Sequence, residues 1–407
     1  MVQFYKLYNT QYYNITILYS DYIMITPVYD TIVSFGCWNQ TNRSNGPSDE
    51  NKKVMMKLKE TGKDVVLVSG DNYYPVKTTI KTKEGKEKIK RVNLNDLKEG
   101  FENLKDATQG TPVYMNFGNH DVVSNDQVTT DSTKECIILE TELEEGNENF
   151  HVGMSHKINY GTHTLILMID TSIYSTQKEF KKFSKCYNKL TNLTQAELIT
   201  QQDTFVKAAV EEFQGDNVII VGHYPLFYEK EKKISPESNS QNSQNWFKPA
   251  VKEQVKRLSV LENSIDFTNL LFELPEKNYY YLCADYHLFE EGNVIIKKDG
   301  KERLIHQYIV GTGGTELDPF TKKGSTVKEQ QKDYLIEYNH KSMKLQYGFL
   351  KGTFKDVWSF SFIPGYKKHA KTRKHPNQTS RLSRSKRSQY SRINLENVSK
   401  SKFRSRH

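Results

Sequence analysis

Four cysteines in 407 residues are too few for a disulfide framework. Cys37, Cys136, Cys186 and Cys283 each sit in or beside apolar sequence, where a buried thiol is the usual state, and Cys186 has no obvious partner. Long apolar runs are also missing. No stretch approaches the roughly 18 residues of a membrane span. The nearest candidate, residues 12–33, is interrupted by Asp21 and Asp30. Only Lys6 precedes its apolar part as a cation, and no small-residue cleavage site follows, so it reads as a poor signal peptide. The expectation is an intracellular protein, or one whose targeting segment is unusual or lies outside this sequence. Acidic residues are scarce in one place only. Residues 367–407 hold fourteen Lys or Arg and a single acid, Glu396, a net of +13. The rest of the chain holds 44 basic and 48 acidic residues, so the overall +9 describes neither part.

What is present points to a large folded body. At 36% hydrophobic and 12% aromatic the chain is not disordered overall. Sequons at Asn14, Asn39, Asn42, Asn192, Asn377 and Asn397 are expected by chance in a chain this rich in Asn, Ser and Thr. Apolar runs of strand length recur at 31–35, 64–69, 112–117, 163–169, 217–221 and 278–283. They are mostly continuous rather than alternating, which predicts strands buried on both faces. Leu94, Leu97, Phe101 and Leu104 share one helical face, and Thr194 with Glu197 forms a capping box opening a second helix. Later the pattern becomes antiparallel: 293–297 and 304–310 flank an Asp-Gly turn, and 344–350 with 354–363 reads as another pair. Residues 77–91 are a Lys-rich loop or hairpin, and 229–244 a polar loop. The sum is a layered α/β body with mixed sheets.

Five polar clusters follow these strands: Gly36-Cys-Trp-Asn39, Gly70-Asp-Asn-Tyr-Tyr74, Gly118-Asn-His-Asp121, Gly222-His-Tyr-Pro225 and Ala284-Asp-Tyr-His287. The carboxyl ends of strands are where α/β sheets bind ligands. Asp71, Asn119, His223, Asp285 and His287 offer oxygen and imidazole donors suited to Zn, Mn or Fe. Alone, a Gly-Asp after a strand is usually a turn and a lone His more often a satisfied histidine than a ligand. Gly118-Asn-His-Asp121 is more specific, because a turn does not require the His; the ordered set carries the weight.

On these motifs the chain resembles the purple acid phosphatases of the small single-domain type, within the calcineurin-like metallophosphoesterases. Leu167-Met-Ile-Asp170, Tyr308-Ile-Val-Gly-Thr-Gly-Gly314 and Asp318-Pro319 add to the likeness, which covers about 31–363. The resemblance implies a four-layer αββα sandwich of two mixed sheets over 31–363, an N-terminal extension (1–30) and a basic tail (364–407). It implies two metal ions, Fe with Fe, Zn or Mn. Asp71 would bridge them, Tyr74 and His287 would bind the ferric ion, and Asn119 and His223 the divalent one. The implied reaction is phosphomonoester hydrolysis by a metal-bound hydroxide, with His120 protonating the leaving group. Two ligand positions depart from the family. Cys37 stands where the family has a ferric-site aspartate, and Asp285 where it has a divalent-site histidine, with Ala284 for the glycine beside it. Both can donate to a metal. The alternative is that Cys37 is a small buried hydrophobe and the site holds one ion or none.

Two readings follow: a divergent phosphatase of reduced activity, or a catalytically inactive phosphatase-like scaffold docked through its tail. The tail, with eight serines among its cations, suits an anionic membrane surface or a protein partner. Tyr390 and Phe403 are its only aromatics, so sequence-specific nucleic-acid recognition is not expected. The family is usually secretory or lysosomal, a setting the poor signal peptide does not support.

Overall fold

The structure, a computed structural model, describes residues 23–25, 31–40, 48–74, 76–82, 85–91, 94–122, 147–228, 260–318 and 326–366. Cys136, the polar loop at 229–244, most of the N-terminal extension and the basic tail lie outside the described residues. The chain divides into two units, 1–367 and 368–407, and every described residue belongs to the first.

Two mixed sheets form the body. In one, Thr31–Phe35, Val65–Val68, Val113–Met115 and Phe150–Val152 run parallel, and the hairpin Gly348–Phe354/Trp358–Pro364 adds antiparallel to Thr31–Phe35. In the other, Thr164–Met168, Asn217–Val221, Asn278–Cys283 and Lys301–Val310 run parallel, with antiparallel strands completing both sides. The continuous apolar runs explain this arrangement. Val65 to Val68, Leu165 to Met168 and Val218 to Val221 are buried at every position, as strands covered on both faces require. One hydrophobic core joins the two sheets. Across it, the Phe360 ring of one sheet packs 4.7 Å from Tyr308 and 5.3 Å from Tyr280 of the other. Helices Asp49–Lys59 and Leu94–Thr108 belong to the first half of the fold, Gln195–Glu212 and Ile265–Glu273 to the second. Leu97, Phe101 and Leu104 are buried, as the periodicity predicts. The Thr194–Glu197 capping box is present with both reciprocal bonds.

Some expectations shift. The second late pair begins at Gly348, because residue 344 ends a longer strand, Tyr334–Lys344, that pairs with Phe289–Lys298. The first hairpin is longer than its apolar core suggests and turns at Asp299-Gly300, both in left-handed backbone (φ 48° and 75°). The Lys-rich segment is a hairpin, Val76–Thr82 against Gly85–Arg91. Within the N-terminal extension, Ile23–Ile25 pairs parallel to His156–Tyr160. Cys186, on helix Gln177–Leu190, is disulfide-bonded, which corrects the expectation of a partnerless thiol; helical periodicity reports its buried face but not a cross-link. Among the described residues no helix is long and apolar enough to cross a membrane.

One buried histidine links this core to pH. His156 sits 3.2 Å from the Met115 carbonyl, beside the Tyr114 ring, and burial lowers its pKa to about 4. Between about pH 6.5 and 4 the unfolded chain binds a proton that the folded one refuses. Stability should therefore fall as pH drops through that window, by up to roughly 3 kcal/mol. Urea unfolding at pH 7 and pH 4.5 measures the loss. His156→Gln should flatten it, and an unchanged slope in that variant would assign the loss elsewhere.

Candidate metal centre

The five polar clusters converge where the carboxyl ends of the parallel strands from both sheets meet. Main-chain bonds join the loops: Gly36 N–H donates to Val310 O (3.0 Å), Cys37 N–H to Gly70 O (3.1 Å), and Ala284 N–H to His223 O (2.9 Å). The backbone turns sharply at each strand end. Cys37, Asp71 and Asp285 all lie in the left-handed region, at φ 51°, 54° and 57°. Asp tolerates that conformation better than most residues; Cys has no such preference. Strained backbone of this kind collects at functional sites.

Asp71 stands at the centre, 1% exposed. Its Oδ2 accepts from Tyr74 Oη at 2.6 Å and from Cys37 Sγ at 3.7 Å. Tyr74 Oη lies 3.2 Å from His287 Nε2. The donor atoms of Cys37, Asp71 and His287 all fall within 4.8 Å of one another. The other oxygen, Oδ1, faces a different set. It lies 3.3 Å from His223 Nε2, which is 3.0 Å from Asn119 Oδ1 and 3.8 Å from Asp285 Oδ1. Three oxygens thus lie within 3.8 Å of one imidazole nitrogen, a setting that favours positive charge there, proton or metal.

The imidazoles are oriented from behind. His223 Nδ1 is 2.7 Å from the Ser69 carbonyl and His287 Nδ1 2.8 Å from the Glu316 carbonyl. A carbonyl can only accept, so each Nδ1 carries the proton and Nε2 is turned toward Asp71. The two-lobed donor set fits the pair of ions that this kind of site implies. Asp71 would be shared, with Cys37, Tyr74 and His287 on one lobe and Asn119, His223 and Asp285 on the other.

Electrostatics agree with a site built for positive charge. Burial would raise the Asp71 carboxyl, but the charges of His223 and His120 and bonds from His223 and Tyr74 hold it well below the carboxylate range. Burial would lower His223, yet Asp71, by charge and hydrogen bond, and then Asp285 raise it to about 9. Burial and the Asp71 charge push the Tyr74 phenol well up. Without metal, a proton on His223 does part of the work of a cation.

All seven expected ligand positions are brought together, and His120 lies beside them. The His120 backbone N–H donates to Asp71 Oδ1 at 2.9 Å, and its half-buried ring packs 4.4 Å from Tyr74. Several positioning residues were not singled out in the sequence. Asp121 accepts from the Asn72 and Gly118 backbone N–H groups (2.9 and 2.7 Å), locking two of the clusters together. Thr171 Oγ1 accepts from His223 N and Tyr224 N (3.1 and 2.9 Å), and Asp318 Oδ2 from His287 N (2.8 Å). Asp121 and Asp318 stand inside recognisable motifs; the Ser69 and Glu316 carbonyls carry no sequence signal, since every residue has one.

Two mixed sheets with polar loops gathered at their strand ends make a metallophosphoesterase-like α/β fold. The calcineurin-like phosphoesterase family model matches residues 31–260, and the chain belongs to that family. No curated protein matches. Among solved structures, GAP50, the anchor in the inner membrane complex of Plasmodium, is 14% identical, with 83% of this chain and 85% of that one covered and a TM-score of 0.46. PhoD is 11% identical, covering 83% and 69% at 0.46. The phosphopantetheinyl hydrolase PptH of Mycobacterium tuberculosis is 10% identical, covering 70% and 90% at 0.32. At these values the likenesses carry no functional argument.

Proposed function

We propose that this chain is a divergent phosphomonoesterase of the purple acid phosphatase kind, built on a modified two-metal site. One observation carries the reading: the two oxygens of the buried Asp71 carboxylate face two separate donor sets. Nothing in a structural core requires a carboxylate to be surrounded by an amide oxygen, two imidazoles, a phenol, a thiol and a second carboxylate. Two cations, when bound, supply Lewis-acid polarisation of the phosphoryl oxygens. The chain's own residues do the rest. Asp71 fixes the spacing of the two lobes, and the Ser69 and Glu316 carbonyls keep both histidine lone pairs aimed inward. His120, held by its own backbone bond to Asp71, is the general acid that gives its ring proton to the leaving alkoxide.

A second reading, a non-catalytic scaffold, is favoured by Cys37 and Asp285 and by the crowding at Ala284. A methyl placed on Gly36 would lie 2.6 Å from Ala284 Cβ, so these two loops meet with no spare space. The basic tail suits docking of either form to an anionic membrane or an acidic protein partner. The disulfide at Cys186 supports an oxidising compartment.

The test is elemental analysis of the purified full-length chain together with turnover of an aryl phosphate. The phosphatase reading expects about two metal ions per chain and measurable hydrolysis. A metal-free protein with no turnover would leave the scaffold.

A further inference from the structure

The Asp71 Oδ2 lobe differs from the other in one respect: one of its donors is sulfur. We propose that Cys37 is a thiolate ligand and that it makes this lobe a site for a soft or borderline divalent ion, of the zinc and cobalt(II) type, instead of ferric iron. The inference rests on the two-metal reading above and concerns which ion the lobe selects.

The spacing supports it. A tetrahedral ion with bonds of ~2.3 Å to sulfur and ~2.1 Å to oxygen sets those two donors about 3.6 Å apart. Cys37 Sγ and Asp71 Oδ2 are 3.7 Å apart. An oxygen and an imidazole nitrogen on the same ion would stand about 3.4 Å apart. Tyr74 Oη and His287 Nε2 are at 3.2 Å. All three contacts are within hydrogen-bonding distance, and the one from Tyr74 Oη to Asp71 Oδ2, at 2.6 Å, is shorter than the spacing on a shared ion and would have to open for one to bind. Sulfur, two oxygens and nitrogen in four positions is a set that zinc accepts.

The backbone adds an independent point. Cys37 holds a left-handed conformation that an aspartate would occupy at less cost, and it is completely buried. A thiol serving only as an apolar filler gains nothing from that conformation. Its neighbours are the phenol of Tyr74 and the methyl of Ala284 in a cluster separate from the main core. Cys283, the other cysteine outside a disulfide among the described residues, contrasts with it: its Sγ lies 3.5 Å from the Tyr308 carbonyl within a strand. Softness then decides the metal: thiolate favours zinc-like ions, whereas a ferric ion prefers a site whose donors are all oxygen and nitrogen. A lobe holding zinc has no redox chemistry and lacks the visible tyrosinate-to-iron absorption that a ferric ion on Tyr74 would bring.

The experiment is cobalt(II) titration of the metal-stripped full-length protein, followed by absorbance. Expected is a near-ultraviolet sulfur-to-cobalt charge-transfer band, displaced by zinc, absent from Cys37→Ser and retained in Cys283→Ser. As a second measurement, Cys37→Asp loaded with iron should gain a visible tyrosinate-to-iron band that the iron-treated wild type lacks. If the wild type binds cobalt without the sulfur band, or keeps the band in Cys37→Ser, the thiolate assignment is overturned while the two-metal reading stands. If no metal binds at all, both fall together.

Discussion

Asp71→Asn should abolish metal binding in both lobes and lower aryl-phosphate turnover by on the order of 10²–10⁴. One carboxylate faces two donor sets. An amide keeps the shape but offers one neutral oxygen, so at most one lobe retains its partner, and without the charge neither competes well with water. Elemental analysis of the variant is the direct readout, and turnover is the second. The metal-free protein gives an independent check through pH. His223, raised to about 9 chiefly by Asp71 against the opposing pull of burial, contributes stability that is fully present below about pH 6.5 and lost as pH rises through about 9. In stripped wild type, denaturant midpoints should decline across that interval; in Asp71→Asn the decline should shrink. A variant that retains two ions and full turnover would remove Asp71 from the bridging role.

Gly118→Ala should damage the same centre from the backbone side. A Cβ at this position would lie 2.3 Å from Asp71 Oδ1, 2.4 Å from the Asp71 backbone nitrogen and 2.8 Å from His223 Cε1. Rotating a side chain cannot relieve a contact with backbone. The loop carrying Asn119 and His120 must move away from the one carrying Asp71, at a cost of about 1–3 kcal/mol as in other overpacked sites. The shift parts Asn119 from His223 and the His120 N–H from Asp71. We expect a folded protein whose metal content falls by at least half and whose turnover drops by on the order of 10². Circular dichroism to confirm folding, with metal analysis beside it, separates this outcome from simple unfolding. Normal metal occupancy in a folded Gly118→Ala would mean that the two loops are not as tightly apposed as these distances imply.

Much of this site was legible in the chain because its motifs are local. Gly70-Asp, Gly118-Asn-His-Asp121 and Gly222-His are each a strand followed by a turn and a donor, and a strand of buried apolar residues announces itself. The candidate donors Asp71, Asn119, His223, Asp285 and His287 could therefore be picked out from pattern, whereas Tyr74 and Cys37 entered only through the family resemblance. Their second supports could not. Ser69 and Glu316 act through main-chain carbonyls, and Thr171 through a hydroxyl on the loop after a different strand. The cross-link at Cys186 was likewise invisible, because pairing depends on where two distant segments meet and not on either segment's own periodicity.

The amino-acid order alone determined which strands are buried on both faces, where the turns fall, and which residue types stand at the strand ends. It also isolated the positive charge in 367–407, away from a body that is slightly acidic. Only the tertiary structure decided that the two oxygens of Asp71 look in different directions, and that Cys37 shares Oδ2 with Tyr74 while His223 takes Oδ1. The reason is geometric. Alternation and spacing fix which face of an element a residue occupies, but the separation between donors on five different loops depends on how two sheets pack. The 3.7 Å between Cys37 Sγ and Asp71 Oδ2 is set by that packing, and no local pattern carries it.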